Sequence, residues 1–131
     1  MKRSKSQPPR PTQAELDILR VLWTRGPSSV REVHEALSGV RPTGYTTILK
    51  LLQIMTAKRL VERDESGRTH VYRSALAEEQ TQRQLVSDLV ERAFGGSASR
   101  LIQQALATTR ATREEMAEIR KLLQRATGGK S

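Results

Sequence analysis

A change of hydrophobic period near residue 60 constrains this chain more than any other feature in it. Before that point apolar residues recur every three or four positions, the repeat of a helix with one buried side. Leu16, Leu19, Leu22 and Trp23 make a first stripe, opened by the capping pattern Thr12-Gln-Ala-Glu15 and stopped at Gly26-Pro27. Val30, Val33 and Leu37 make a second, shorter one, opened by Ser29-Val-Arg-Glu32 and ended near Ser38-Gly39. Ile48, Leu51, Leu52 and Met55 make a third over residues 44–58, introduced by Pro42-Thr43-Gly44. The repeat then shortens. Residues 60–64 and 69–73 are β-prone, and Glu65-Ser66-Gly67-Arg68 between them has turn chemistry, so the pair reads as a hairpin.

Three short helices followed by a hairpin is the order of a winged helix-turn-helix, with the second and third helices as the helix-turn-helix pair. Helical periodicity resumes afterwards. Leu85, Leu89, Val90 and Phe94 stripe one helix, ended by Gly95-Gly96; Leu101, Ile102 and Leu106 stripe the next. A third capping pattern, Thr112-Arg-Glu-Glu115, leads to Met116, Ile119, Leu122 and Leu123. These stripes have too few partners within one chain, and a second copy is the natural cover for them. The expected fold class is therefore mainly α with a small β-hairpin. Residues 1–11 are read as a disordered basic arm, 12–75 as the winged domain, 76–126 as a helical dimerisation region, and 127–131 as a frayed tail.

The third helix is unusual on its outward side. At about 100° per residue, Thr46, Lys50, Gln53 and Ala57 fall within about 40° of the direction opposite Ile48. That face carries hydroxyls, an amide and a cation, with Thr43 just ahead of it, and no carboxylate that would repel phosphate. Such groups suit the floor of a DNA major groove, where an amide pairs with adenine in two places and methyls meet thymine. A polar surface that merely lacks acids is the plainer reading, and the hairpin argues against it. Arg68 directly follows the turn Gly67, His70 lies beside it, and wings of this kind lie along the DNA backbone or in the minor groove. Arg63 and Arg73 either join Arg68 on phosphate or pair with Glu62 or Asp64. Tyr45 sits at the helix edge, where it either packs or touches phosphate, with phosphate preferred; Lys58 is assigned to phosphate, and Trp23 and Tyr72 to the core.

Charge follows the same division. The chain of 131 residues carries a net +9; residues 1–75 hold 14 Lys and Arg against 7 Asp and Glu, whereas residues 76–131 hold 9 against 7. The first part is the polyanion-facing one. There is no cysteine, which removes thiolate metal sites and cysteine nucleophiles, and His34 and His70 have no ligand-spaced partners. No glycine-rich loop follows a strand and no nucleophile elbow appears, so neither an enzyme nor a cofactor or metal site is expected. With no apolar run of membrane-spanning length and no signal-peptide core, the expected location is cytoplasmic.

Thr12, Glu15, Ile18, Leu19, Leu22 and Trp23, then Val30, Glu32 and Val33, then Tyr45-Thr46-Thr47-Ile48, then Gly67-Arg68 with Val71-Tyr72, together resemble the BlaI/MecI/CopY family of bacterial repressors. The resemblance spans roughly residues 12–125. It implies a homodimer with N-terminal winged-helix domains, a C-terminal helical dimerisation region, an inverted-repeat DNA operator, and repression by occluding the promoter. It assigns the DNA-facing positions to Thr46, Thr47 and Lys50, and also to Leu49 and Ile54. At those last two the chain departs from the pattern, since arginine is common in the family where Ile54 stands, and a glycine where Arg59 stands. Family members that respond to β-lactams are cut by a sensor protease at an Asn-Phe bond; the matching residues here are Gln103-Gln104, which do not supply that bond. The copper-responsive members use C-terminal cysteines, which are absent here. The competing reading is a protein–protein adaptor on the same winged fold, with only non-specific DNA binding.

Overall fold

The computed structural model describes residues 10–128, so most of the expected N-terminal arm lies outside the described residues. Eight elements follow in order: α1 (Gln13–Arg25), α2 (Val30–Ser38), α3 (Tyr45–Ala57), β1 (Val61–Asp64), β2 (Val71–Ser74), α4 (Glu78–Ala93), α5 (Ala98–Thr108) and α6 (Arg113–Gly128). The chain divides into two compact units, the first ending at Leu85 and the second beginning at Val86. The division falls inside α4, later than the boundary after residue 75 that the change of pattern suggests. Thr81, in the first turn of α4, is buried and belongs to the first unit. α6 also runs on through Thr127 and Gly128, where the sequence reading starts a frayed tail.

In the first unit the capping patterns do what their spacing requires. Thr12 and Ser29 each accept the amide of the glutamate three residues on, and each glutamate accepts the cap's own amide in return. Ile18, Leu19 and Leu22 of α1 pack with Val30, Val33 and Leu37 of α2 and Ile48, Leu52 and Met55 of α3, with Leu60, Val61 and Tyr72 closing the core. Trp23, assigned to the core, is half-buried at its edge, where its indole N–H donates to Ser74 Oγ and the Leu76 carbonyl, both at 3.0 Å.

The hairpin is antiparallel, with Val61 opposite Ser74 and Asp64 opposite Val71. β2 starts two residues later than its periodicity suggests, leaving residues 65–70 as the wing tip. The hairpin is not alone, a feature the sequence reading does not contain. Ser28 and Tyr72 exchange backbone hydrogen bonds of 2.9 and 2.8 Å, which makes the α1–α2 connection a one-residue third strand. Gly26 permits this, because it takes φ +88° to end α1, a conformation that side chains resist.

α3 ends in a double hydrogen-bond clasp. The Leu60 amide donates to the Met55 carbonyl at 2.9 Å and the Arg59 amide to the Thr56 carbonyl at 3.1 Å. The geometry needs a left-handed residue, usually glycine, and here Arg59 supplies it at φ +66°.

The second unit comprises the end of α4 with α5 and α6. None of its described residues is fully buried, and Val86, Leu89, Ile102, Leu106, Leu122 and Leu123 are exposed. Gly95 and Gly96, both at positive φ, make the expected break before the Ser97 cap.

Candidate nucleic-acid interface

α3 turns Ile48, Leu52 and Met55 into the core, and that fixes the direction of everything else on it. Thr46, Thr47, Lys50 and Gln53 are exposed, and no acid lies on the helix. No ion pair among the described residues engages Lys50, so its ammonium is available to a ligand. Ile54 is also exposed, adding an apolar contact on the same side. Leu49 departs from the role the resemblance gave it: it is half-buried and packs against the core, with its side chain in a cleft below the wing.

The helix is held at both ends. At its start Gly44 is the N-cap, and Thr43, half-buried, donates its hydroxyl to the Arg41 carbonyl at 3.1 Å, which stiffens the approach. Tyr45 is 48% exposed and meets His34 of α2 edge to face, ring centres 5.9 Å apart, so it packs on one side and stays accessible on another. At the other end Lys58 reaches Glu15 of α1 at 2.7 Å. Glu15 is 2% exposed and its other oxygen accepts the Thr12 amide. Burial alone would raise the Glu15 pKa; the hydrogen bond from Lys58 and that from the Thr12 amide overcome it and hold the carboxyl below its ordinary value. Lys58, assigned to phosphate from the sequence, is therefore committed to an ion pair that locks α3 against the first turn of α1. Capping chemistry made Glu15 visible in the sequence, but its partner lies too far along the chain for spacing to show.

In the wing, Arg73 pairs with Glu62 at 2.8 Å and Arg63 with Glu65 through its Nε at 2.7 Å. Arg73 thus makes the Glu62 pair that the sequence offered, whereas Arg63 takes Glu65, a partner outside both alternatives. Asp64 accepts the Ser66 amide at 2.9 Å, an Asx turn that shapes the tip. The Ser66 hydroxyl and amide lower the Asp64 pKa, so this carboxylate stays ionised. Arg68 and His70 are exposed, and no ion pair among the described residues involves Arg68. Tyr72 is buried as expected, under a cleft that Tyr45, Leu49, Arg68 and His70 also line. The arrangement thus gathers Thr46, Thr47, Lys50 and Gln53 on one exposed helix face, sets Arg68 and His70 beside Tyr45 at its start, and leaves Lys58 apart from them at its end. Among the described residues no group of His, Asp and Glu could hold a metal ion, and no helix is long and apolar enough to cross a membrane.

Comparison with known proteins agrees with this geometry. A family profile described as penicillinase repressor matches residues 11–125. The transcriptional regulator BlaI of Mycobacterium tuberculosis, in strains H37Rv and CDC 1551, is 42% identical over 59 residues, which are 44% of this chain and 43% of that protein. The chain therefore matches less than half the length of these relatives. Two solved structures, the monomeric form of Bacillus licheniformis BlaI in complex with the blaP half-operator and the DNA-binding domain of the repressor BlaI, each superpose with a TM-score of 0.50 at 26% identity. Each match covers 56% of this chain and 90% of the other. With that profile spanning nearly its whole length and a winged unit of this build, the chain belongs to the penicillinase repressor family.

Proposed function

We propose that this chain is a homodimeric transcriptional repressor that reads an inverted-repeat operator with α3 and blocks transcription by occupying it. The observation that carries the reading is the exposed, carboxylate-free face of α3 beside a wing that presents Arg68. On such a face Gln53 can bond adenine N6 and N7, Lys50 can bond guanine O6 or N7, and the methyls of Thr46, Thr47 and Ile54 can meet thymine. Tyr45, Arg68 and His70 serve the backbone, which sets register without reading sequence. Family membership and the half-operator complex of the Bacillus protein support the same assignment.

The dimer rests on the second unit. In it Val90, Phe94, Leu101, Met116 and Ile119 are only half-buried, and Leu89, Ile102, Leu106, Leu122 and Leu123 are exposed; Leu85, the last residue of the first unit, is half-buried as well. Isolated apolar stripes of this extent are stabilised by a second copy. Two α3 helices would then enter successive major grooves roughly 34 Å apart. The protein acts in the cytoplasm and needs no cofactor. Gln103-Gln104, on α5, does not supply the Asn-Phe bond at which the family's sensor protease cuts, and the proposal assigns no releasing signal.

Selection of random duplexes on the purified chain tests the proposal, together with sedimentation of wild type and a Leu122→Glu/Leu123→Glu variant. An enriched inverted repeat, and a wild-type dimer that the variant converts to a weakly binding monomer, are expected. Weak binding with no enriched sequence would point to the adaptor and overturn the repressor.

A further inference from the structure

One wall of the cleft above Tyr72 belongs to neither α3 nor the wing. The cleft is about 250 Å³ and open to solvent, and α2 contributes Arg31 to it, facing a lining that includes Tyr45, Arg68, Thr69 and His70. No carboxylate is part of that lining. Two arginines from different elements line it together with His70 and the hydroxyl-bearing Ser29, Tyr45, Thr69 and Tyr72, and Val30 and Leu49 add apolar surface. A cleft lined by two arginines and no carboxylate favours an anion. Guanidinium forks suit an anion with several oxygens, because each can donate two parallel hydrogen bonds. Tyr45 and Leu49 belong to α3, so an anion in the cleft touches the helix that would lie in the major groove.

We infer that this cleft seats one phosphate group, clamped between Arg31 of α2 and Arg68 of the wing, and that Arg31 is a DNA-backbone ligand lying off the recognition helix. The inference rests on the proposed DNA-binding function and names a contact that function does not require. Arg31 is free to act in this way. Its side chain is 81% exposed, and its ion partner is Glu35 at 3.6 Å on the same helix, itself 63% exposed. A pair so long and so well hydrated is weak, and the polyanionic DNA backbone competes with it for the guanidinium. Glu35 is then a competitor for the same guanidinium, which gives the proposal a second consequence of opposite sign.

The test uses the full chain, fluorescence anisotropy, and two probes: a duplex recovered by selection and one of scrambled sequence. Arg31→Ala is expected to weaken both by about fivefold, to lower the slope of log affinity against log salt by about 1, and to leave the ratio between the duplexes unchanged. Glu35→Gln is expected to tighten both about twofold. The exposure of both side chains keeps these substitutions from unfolding the domain. Unchanged affinity and salt slope in Arg31→Ala, with Lys50→Ala weakened, would overturn the seat while leaving the repressor standing; failure of wild type to prefer the selected duplex would overturn the repressor itself. Inorganic phosphate titrated into the isotope-labelled chain separates the two sources of the anion. Shifts at Arg31 and Arg68 accompanied by weaker DNA binding in Arg31→Ala support a backbone seat, and the same shifts with DNA binding intact would make it a free-anion site and refute the DNA assignment.

Discussion

Breaking the Glu15–Lys58 pair should loosen the attachment of the recognition helix without touching its outward face. In Lys58→Met the Glu15 carboxylate stays buried at 2% exposure, keeps its bond from the Thr12 amide, and loses a 2.7 Å charge-assisted bond from Lys58. Hydrogen bonds to charged groups contribute about 1.5–3 kcal/mol, and an acceptor left buried bears the full cost of its lost partner. The Lys58 side chain is 40% exposed, so water can take over part of its role and the lower half of that range applies. The expected loss is about 2 kcal/mol, a fall in melting temperature of roughly 8–16 °C for a unit of this size. Urea denaturation of the single variants Lys58→Met and Glu15→Gln and of their double variant is the assay, since the cycle isolates the pair. A coupling energy of about 1–2 kcal/mol is expected. Coupling below about 0.3 kcal/mol, the additivity seen for independent sites, would refute the role given to the Glu15–Lys58 pair.

The pair also carries a pH signature. The folded Glu15 carboxyl titrates below its ordinary value of 4.5, because burial is outweighed by Lys58 and the Thr12 amide. A group with a lowered folded pKa contributes stability that is complete above the unfolded value and disappears as pH falls through the folded one. Wild type should therefore lose stability on acidification below about pH 4.5 more steeply than Glu15→Gln does. Parallel acid profiles for the two proteins would contradict this.

Three further outcomes follow from single positions. Lys50→Ala should weaken operator binding by about 1–3 kcal/mol in anisotropy at fixed salt while sedimentation still shows the dimer. Arg59→Gly should raise stability by roughly 0.5–1 kcal/mol in urea titration, because relief of the left-handed strain at φ +66° exceeds the added freedom of glycine in the unfolded chain. Thr81→Val should also stabilise, by about 1 kcal/mol in the same assay, since the Thr81 hydroxyl is buried with no hydrogen-bond partner and valine keeps its shape.

What the sequence made legible was local. The capping pairs Thr12–Glu15 and Ser29–Glu32, the apolar stripe of α3 and the turn chemistry of the wing depend on neighbours three or four residues apart, and all are realised. What it hid was the long-range partnering. The Ser28–Tyr72 bridge joins a loop to a strand 44 positions away, and nothing in a serine after a proline announces an edge strand. Leu49 stood a quarter-turn from the core face, where helical phase alone cannot decide between core and groove; the wing folding over it decided. Lys58 looked like one more cation near DNA until Glu15, 43 residues earlier, claimed it.

These hidden contacts share a direction. Glu15–Lys58 anchors the end of α3, His34–Tyr45 supports its start, and Ser28–Tyr72 sets the wing beside it. None of the six residues lies on the face formed by Thr46, Thr47, Lys50, Gln53 and Ile54. The scaffold that aims the recognition helix is thus separable from the surface that would read bases. It follows that exchanges among those five exposed positions should change which duplex is selected at little cost to stability, because solvent-facing substitutions away from caps and core usually stay within about 0.5 kcal/mol. A Gln53→Arg or Ile54→Arg chain that melts like wild type but selects a different half-site would bear out the separation, and one that unfolds would show that the reading face also holds the helix in place.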